Sequence, residues 1–226
     1  MRPGPGHRRT RTRARLLSAA FSVFAAKGYG RVAIEEVCAE AGFSRGAFYS
    51  NFESLDALFR VLYEEQAAVL RHRVSAAFHE ERTGAAVPRD ASLLIGRLSG
   101  VVLSEPRWLF LEADFLVYAA RRPSAARLNR EMRRRPAETV VDRLAAHGSP
   151  SPVRGCREDA IRSVLEAYDA VTAQLLLDGD AENARERFAH LLLALEGPGR
   201  KVAGQPAAAG CPAEWCTRSS AEAGAP

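Results

Sequence analysis

Residues 28–58 read GYGRVAIEEVCAEAGFSRGAFYSNFESLDAL, and this stretch decides the fold. Ile34, Val37 and Cys38 recur at helical spacing, so a short helix is expected over roughly 33–40, ended by Ala41 and Gly42. Gly42 matters because a tight turn there needs a backbone conformation that side-chain-bearing residues avoid. Ser44 then suits the N-cap of a second short helix carrying Phe48 and Phe52 four residues apart. Two short helices joined by such a turn make a helix-turn-helix. The second helix has unlike faces: with Phe48 and Phe52 inside, Arg45, Gly46, Ala47, Tyr49, Ser50 and Asn51 are left facing outward. An ordinary antiparallel helix pair has no use for that combination. A helix lying in a DNA major groove does: arginine can pair bidentately with guanine, Gly46 and Ala47 let the backbone come close, and Tyr49, Ser50 and Asn51 can bond phosphates.

Working outward, residues 13–27 place Leu17, Ala20, Phe21 and Phe24 on one helical face, and Gly28 stops that helix. Ser54 and Asp56 open a long helix through Leu58, Leu62 and Val69 to about residue 80. Further helices are expected near 90–104, 107–121, 123–147, 156–178 and 181–196, punctuated by Pro106, Pro123, the Gly148–Pro152 cluster and Gly179. No strand-like alternation of useful length occurs. The fold class is all-α, with a three-helix helix-turn-helix domain over 12–56 and a larger helical domain over 57–196. Residues 197–226 are rich in Ala, Gly, Pro and Ser, with Val202 and Trp215 their only sizeable apolar residues, and are expected to be a disordered tail.

Charge is unevenly placed. Residues 1–15 carry six arginines and no acid, and since the formal net charge is +5, the remainder of the chain sums to −1. The expected basic, disordered arm over 1–11 suits a polyanion. Thirty of the 32 basic residues are arginine, which fits a GC-rich genome. No apolar run approaches the ~18–20 residues that cross a bilayer, and no secretory leader is visible, so no membrane role and a cytoplasmic location are expected. The four cysteines show neither a disulfide framework nor paired zinc spacing; Cys211 and Cys216 lack further ligands for a metal. The five histidines form no metal motif, and no phosphate loop or nucleophile elbow occurs, so neither an enzyme, a metal nor a cofactor is expected.

The segments AFSVFAAKGYG and IEEVCAEAGFSRGAFYSNF resemble the TetR family of bacterial one-component regulators over about residues 10–60. The resemblance implies DNA contacts at Arg45, Gly46, Ala47, Tyr49, Ser50 and Asn51. Three positions depart from the family pattern. Val32-Ala33 stands where a hydroxyl pair usually caps the second helix, Leu55 where a phosphate-binding lysine is usual, and Asn51 where a histidine or tyrosine is common. Arg8, Arg9, Arg11 and Arg13 are the expected replacements for the lost phosphate contacts, following the backbone or entering a minor groove.

For the rest of the chain the resemblance implies a homodimer and a pocket for a small, apolar or amphipathic inducer. Ile161, Leu165, Tyr168, Val171, Leu175 and Leu176 form one apolar stripe on the penultimate helix, and Phe188, Leu191, Leu192 and Leu195 form another on the last; together they suit a four-helix dimer interface. The pocket helix is expected to be WLFLEADFLVYAARR, residues 108–122, bracketed by Pro106 and Pro123, with Trp108, Glu112, Phe115 and Tyr118 joined by Tyr168. Glu112 and Asp114 sit in an apolar run, where a carboxylate needs a cationic ligand or an arginine such as Arg121 or Arg97. The function these features imply is a repressor released from a palindromic operator by a small molecule. The alternative is an architectural DNA-binding protein without sequence preference.

Overall fold

The computed structural model describes residues 5–78, 91–146 and 157–196. Its helices are α1 Pro5–Lys27, α2 Ile34–Ala41, α3 Arg45–Tyr49, α4 Leu55–Ala77, α5 Ala91–Val102, α6 Pro106–Ala119, α7 Pro123–Ala146, α8 Arg157–Asp178 and α9 Ala181–Glu196, with a 3-10 turn at Tyr29–Arg31. No strand occurs among the described residues, and the fold is all-α. The 197–226 segment with Cys211 and Cys216, and the Gly148–Pro152 cluster, lie outside the described residues.

The first three helices close around one another because each brings an apolar stripe. Leu16, Leu17, Ala20 and Phe24 of α1 are buried with Val37, Cys38 and Ala41 of α2 and with Phe48 and Phe52. α1 differs from expectation at its start. It begins at Pro5, so from that residue onward the arginine run is helix, not a disordered arm. Proline at a first helical position loses no hydrogen bond, which makes Pro5 a natural starting residue.

α4 is common to both halves of the molecule. Ser54 Oγ accepts the Ala57 N–H at 3.0 Å as its N-cap. Leu58, Phe59 and Leu62 bury its first turns, and Tyr63, Ala67 and Val74 carry the buried stripe onward, with α5 and α7 packed along it. α8 and α9 pack on each other, and α9 also covers α5. Most of both apolar stripes is therefore used inside the subunit: Ile161, Tyr168, Val171, Leu175, Phe188 and Leu192 are all buried. Leu191 and Leu177 remain exposed, Leu177 at 85%. Within α7, Pro136 removes the N–H that would bond the Met132 carbonyl.

Candidate nucleic-acid interface and effector cavity

The turn between α2 and α3 is built by Gly42, whose φ of 68° and ψ of 39° lie in the left-handed region. Its N–H and that of Phe43 close the end of α2 on Ala39 and Cys38 carbonyls. Ser44 Oγ accepts the Ala47 N–H at 3.3 Å and starts α3. Phe48 and Phe52 point into the core, while Arg45, Gly46, Tyr49 and Ser50 are exposed and Ala47 and Asn51 are half-buried. Tyr49 keeps 50% of its surface in solvent although it is a large aromatic. Arg45 forms an ion pair with Glu35 at 2.7 Å and lies 5.9 Å from the Tyr49 ring centre. The Asn51 amide turns back on its own helix, Nδ2 donating to the Ala47 carbonyl at 2.8 Å with Oδ1 enclosed.

The arginines of α1 are docked on the domain as well as exposed. Arg9 Nη2 donates to the Ser50 carbonyl at 3.2 Å, and Arg13 Nη1 to the Asn51 carbonyl at 3.3 Å. Arg13 also covers the Phe52 ring at 4.5 Å. Arg15 Nη2 donates to Ala41 O at 2.9 Å and lies over Phe43 at 4.8 Å. Helix C-termini end in unpaired carbonyls and a partial negative charge, so these cations close the ends of α3 and α2. The signal was in the sequence: positions 9 and 13 continue, at spacings of four, the buried face that holds Leu17. Arg11 is exposed, and the side chain of Arg8 lies outside the described residues.

Two departures from the family pattern have local structural answers. Ala33 offers no capping oxygen, and Glu36 Oε2 instead accepts the Ala33 N–H at 2.9 Å while pairing with Lys27. The Lys27 hydrogen bond, then the Ala33 N–H, hold the Glu36 carboxyl below its ordinary range. Leu55 packs half-buried on the core at the first turn of α4.

Where α6 meets the helix-turn-helix domain, Asp56 of α4 accepts the hydroxyls of Tyr29 and of Tyr118, the latter at 3.2 Å, with Arg122 at 3.6 Å. Asp114 Oδ2 accepts the Tyr29 backbone N–H at 2.7 Å, beside Gly28 at φ 81°. The Tyr29 ring stacks on Phe59 at 3.9 Å. Burial, then the Asp56 hydrogen bond, push the Tyr29 phenol above its ordinary pKa. Two residues expected in a ligand pocket are not among those that line the cavity described below. Tyr118 is part of the joint, and Phe115 stacks face to face on Tyr63 at 3.7 Å.

A cavity of about 50 Å³ lies among α4, α6, α7, α8 and α9. Trp108, Glu112 and Tyr168 are among the residues that line it, with Tyr63, Met132 and Arg133. The Tyr168 hydroxyl donates to Glu112 Oε2 at 2.6 Å, and Arg133 Nε stands 3.4 Å from Glu112 Oε1. Arg133, which also pairs with Asp169, thus takes the place expected of Arg121 or Arg97. It was hidden in the run Arg133-Arg134-Arg135, which reads as a solvated face. Burial raises the Glu112 carboxyl above its ordinary range, outweighing the Tyr168 hydrogen bond and the Arg133 charge. Among the described residues there is no cluster of three or more metal-ligating side chains, and no helix is long and apolar enough to cross a membrane.

Residues 16–62 match the family model for bacterial regulatory proteins of the tetR family. Among solved structures, a TetR-family transcriptional regulator from Mesorhizobium loti superposes with a TM-score of 0.67 at 19% identity, covering 83% of this chain and 96% of that one. One from Streptomyces coelicolor gives 0.64 at 24% identity, covering 83% and 95%. The multidrug binding protein EbrR, complexed with imidazole, gives 0.52 at 28% identity, covering 83% and 90%. No curated protein sequence matches the chain. Residues 16–62 are thus a domain of the kind found in bacterial regulatory proteins of the tetR family, and the helices that follow share the fold of those solved regulators.

Proposed function

We propose that the chain is a homodimeric repressor that leaves a palindromic operator when a small molecule occupies its helical domain. Placement of α6 supports this reading: Trp108 and Glu112 wall the cavity, while Asp114 and Tyr118 of the same helix bond the DNA-binding domain. A ligand that alters the first pair meets the second within two turns of one helix. It can release DNA only through its difference in affinity for the two arrangements. EbrR, a relative by fold, carries a small molecule in its structure.

Arg45, Gly46, Ala47, Tyr49 and Ser50 form the proposed base- and phosphate-reading face, with Arg11 and Arg8 on the flanking backbone. Asn51, Arg9 and Arg13 position that face from behind. Leu177 and Leu191 on α8 and α9 are the proposed centre of the dimer contact, which would set two recognition helices about one DNA turn, ~34 Å, apart.

Selection of random duplexes by the purified protein, followed by binding at two salt concentrations, tests the proposal. Enrichment of a palindrome with half-sites one turn apart supports the repressor. Salt-sensitive binding to every duplex alike would instead make the exposed arginines of α1 the main contact, as in an architectural protein.

A further inference from the structure

Glu35 and Glu36 stand side by side in the first turn of α2 and are used differently. Glu36 serves the fold, pairing with Lys27 and accepting the Ala33 N–H. It also supplies the acid that the start of a helix favours. Glu35 turns towards α3, where its Oε1 meets Arg45 Nη1 at 2.7 Å. Both side chains keep more than half of their surface in solvent, 60% for Arg45 and 55% for Glu35, so their pairing adds little to stability. The pair does place a carboxylate beside the face that is to meet DNA, where phosphates repel an isolated negative charge.

Base-pair chemistry gives that carboxylate a use. Arg45 is the first residue of α3, and the opening residues of a recognition helix are those that reach base edges. With Glu35 attached, Arg45 presents a row of guanidinium donors followed by a carboxylate acceptor. In the major groove a G·C pair presents, in order, the guanine N7 and O6 acceptors and the cytosine N4 donor. The two rows are complementary. Their spacings agree as well: Arg45 Nη1 and Glu35 Oε1 lie one hydrogen bond apart, as O6 and N4 do within the base pair. An A·T pair offers acceptor, donor, acceptor, which sets the guanidinium against adenine N6 and the carboxylate against thymine O4.

Resting on the proposed role of α3 as the DNA-reading helix, and deepening it, we infer that Glu35 is a specificity-determining residue: Glu35 and Arg45 together read one G·C pair in each half-site. Arg45 Nη1 carries two hydrogens, one kept on Glu35 and one given to guanine O6, while a second guanidinium nitrogen reaches N7. The Glu35 carboxylate accepts the cytosine N4–H. It also ties Arg45 away from the phosphates, so that the guanidinium serves base reading over sequence-independent binding.

Duplexes selected from a random pool by the full chain supply the probes, compared by fluorescence anisotropy at one salt concentration. The selected half-site should hold one G·C pair whose identity is relaxed in the pools selected by Glu35→Ala and by Arg45→Ala. Replacing the cytosine of that pair by N4-methylcytosine keeps the base pair and removes its major-groove N–H. The wild type should bind the methylated duplex about tenfold more weakly, and Glu35→Ala should bind both duplexes alike. A wild type indifferent to N4-methylcytosine at every cytosine of the half-site overturns the role of Glu35. So does a Glu35→Ala chain that selects the unchanged motif. In either case a palindrome selected by the wild type leaves the repressor reading standing. A wild type that selects no motif refutes that reading and the assignment of Glu35 with it. The N4-methylcytosine comparison on the wild type needs no variant, so it stands even if Glu35→Ala does not fold.

Discussion

Gly46 stands on the exposed face of α3 with room for a methyl group, since a Cβ there would come no nearer than 3.8 Å to Ser44 Oγ. The fold itself therefore has no need of glycine at this position. Gly46→Ala should raise stability by about 0.5–1 kcal/mol, because alanine gives up less backbone entropy in a helix. The same methyl group occupies space that DNA backbone or base edges would fill, and operator affinity should fall tenfold or more. Chemical denaturation and fluorescence anisotropy read the two effects independently; a variant both stabler and equally tight would remove Gly46 from the interface. Glu112 gives a second residue-scale prediction. Its folded pKa is raised, so the folded chain retains a proton that the unfolded chain has released. The associated stability is fully present below the unfolded pKa and is lost as pH rises through the folded one. The melting temperature of the wild type, measured relative to Glu112→Gln, should decline as pH rises from about 4 towards neutrality. A pH-independent difference would contradict it. Sequence reasoning read Phe48, Phe52 and Tyr49 correctly as two buried rings and one exposed, because helical spacing alone separates those faces. It could not find Arg133, because an arginine in a basic run reveals its burial only once α6 and α8 are packed against it.

α1 shows how one helix can use the same residue type in two ways. Arg13, half-buried over Phe52 and bonded to the Asn51 carbonyl, holds the end of α3. Arg13→Ala should cost about 1–2 kcal/mol of stability and weaken every DNA sequence together. Arg11 is exposed, and Arg11→Ala should leave the melting temperature unchanged. If Arg11 meets a phosphate, its loss flattens the dependence of log K on log salt by about 0.9. Binding titrations over a salt series separate the two roles, and equal slopes for Arg11→Ala and wild type would take Arg11 off the DNA. The start of α1 was the element boundary least legible in the sequence. Residues 5–15 contain no large apolar side chain, so periodicity has nothing to register there, and only Pro5 hinted at the true beginning. The remaining boundaries were readable because glycine, proline and capping serines mark nearly every one.

At the scale of the whole molecule, the apolar stripes of α8 and α9 illustrate what periodicity leaves open. It shows which face is buried and not what buries it, and here most of that face serves the subunit's own core. Leu191 is the exposed part of that face, and Leu177, outside the expected stripe, is exposed as well. Leu177→Glu with Leu191→Glu should give monomers in sedimentation and leave the fold intact by circular dichroism; a persisting dimer would move the interface elsewhere, with the exposed Phe110 and Val117 of α6 next in line. The cavity likewise escaped a reading by residue type, since Phe115 and Trp108 are equally buried and only their neighbours distinguish packing from lining. The continuity of α4 across both domains carries a mechanical consequence. Its 23 residues make a rod about 34 Å long. Pivoting such a rod by about 6° swings its far end by roughly 3.5 Å, close to the ~3.4 Å step from one base pair to the next. On the proposed inducer mechanism, a small rearrangement around a bound molecule would thus be magnified into a whole step of the DNA ladder, and in a symmetric pair the two steps would be taken in opposite directions.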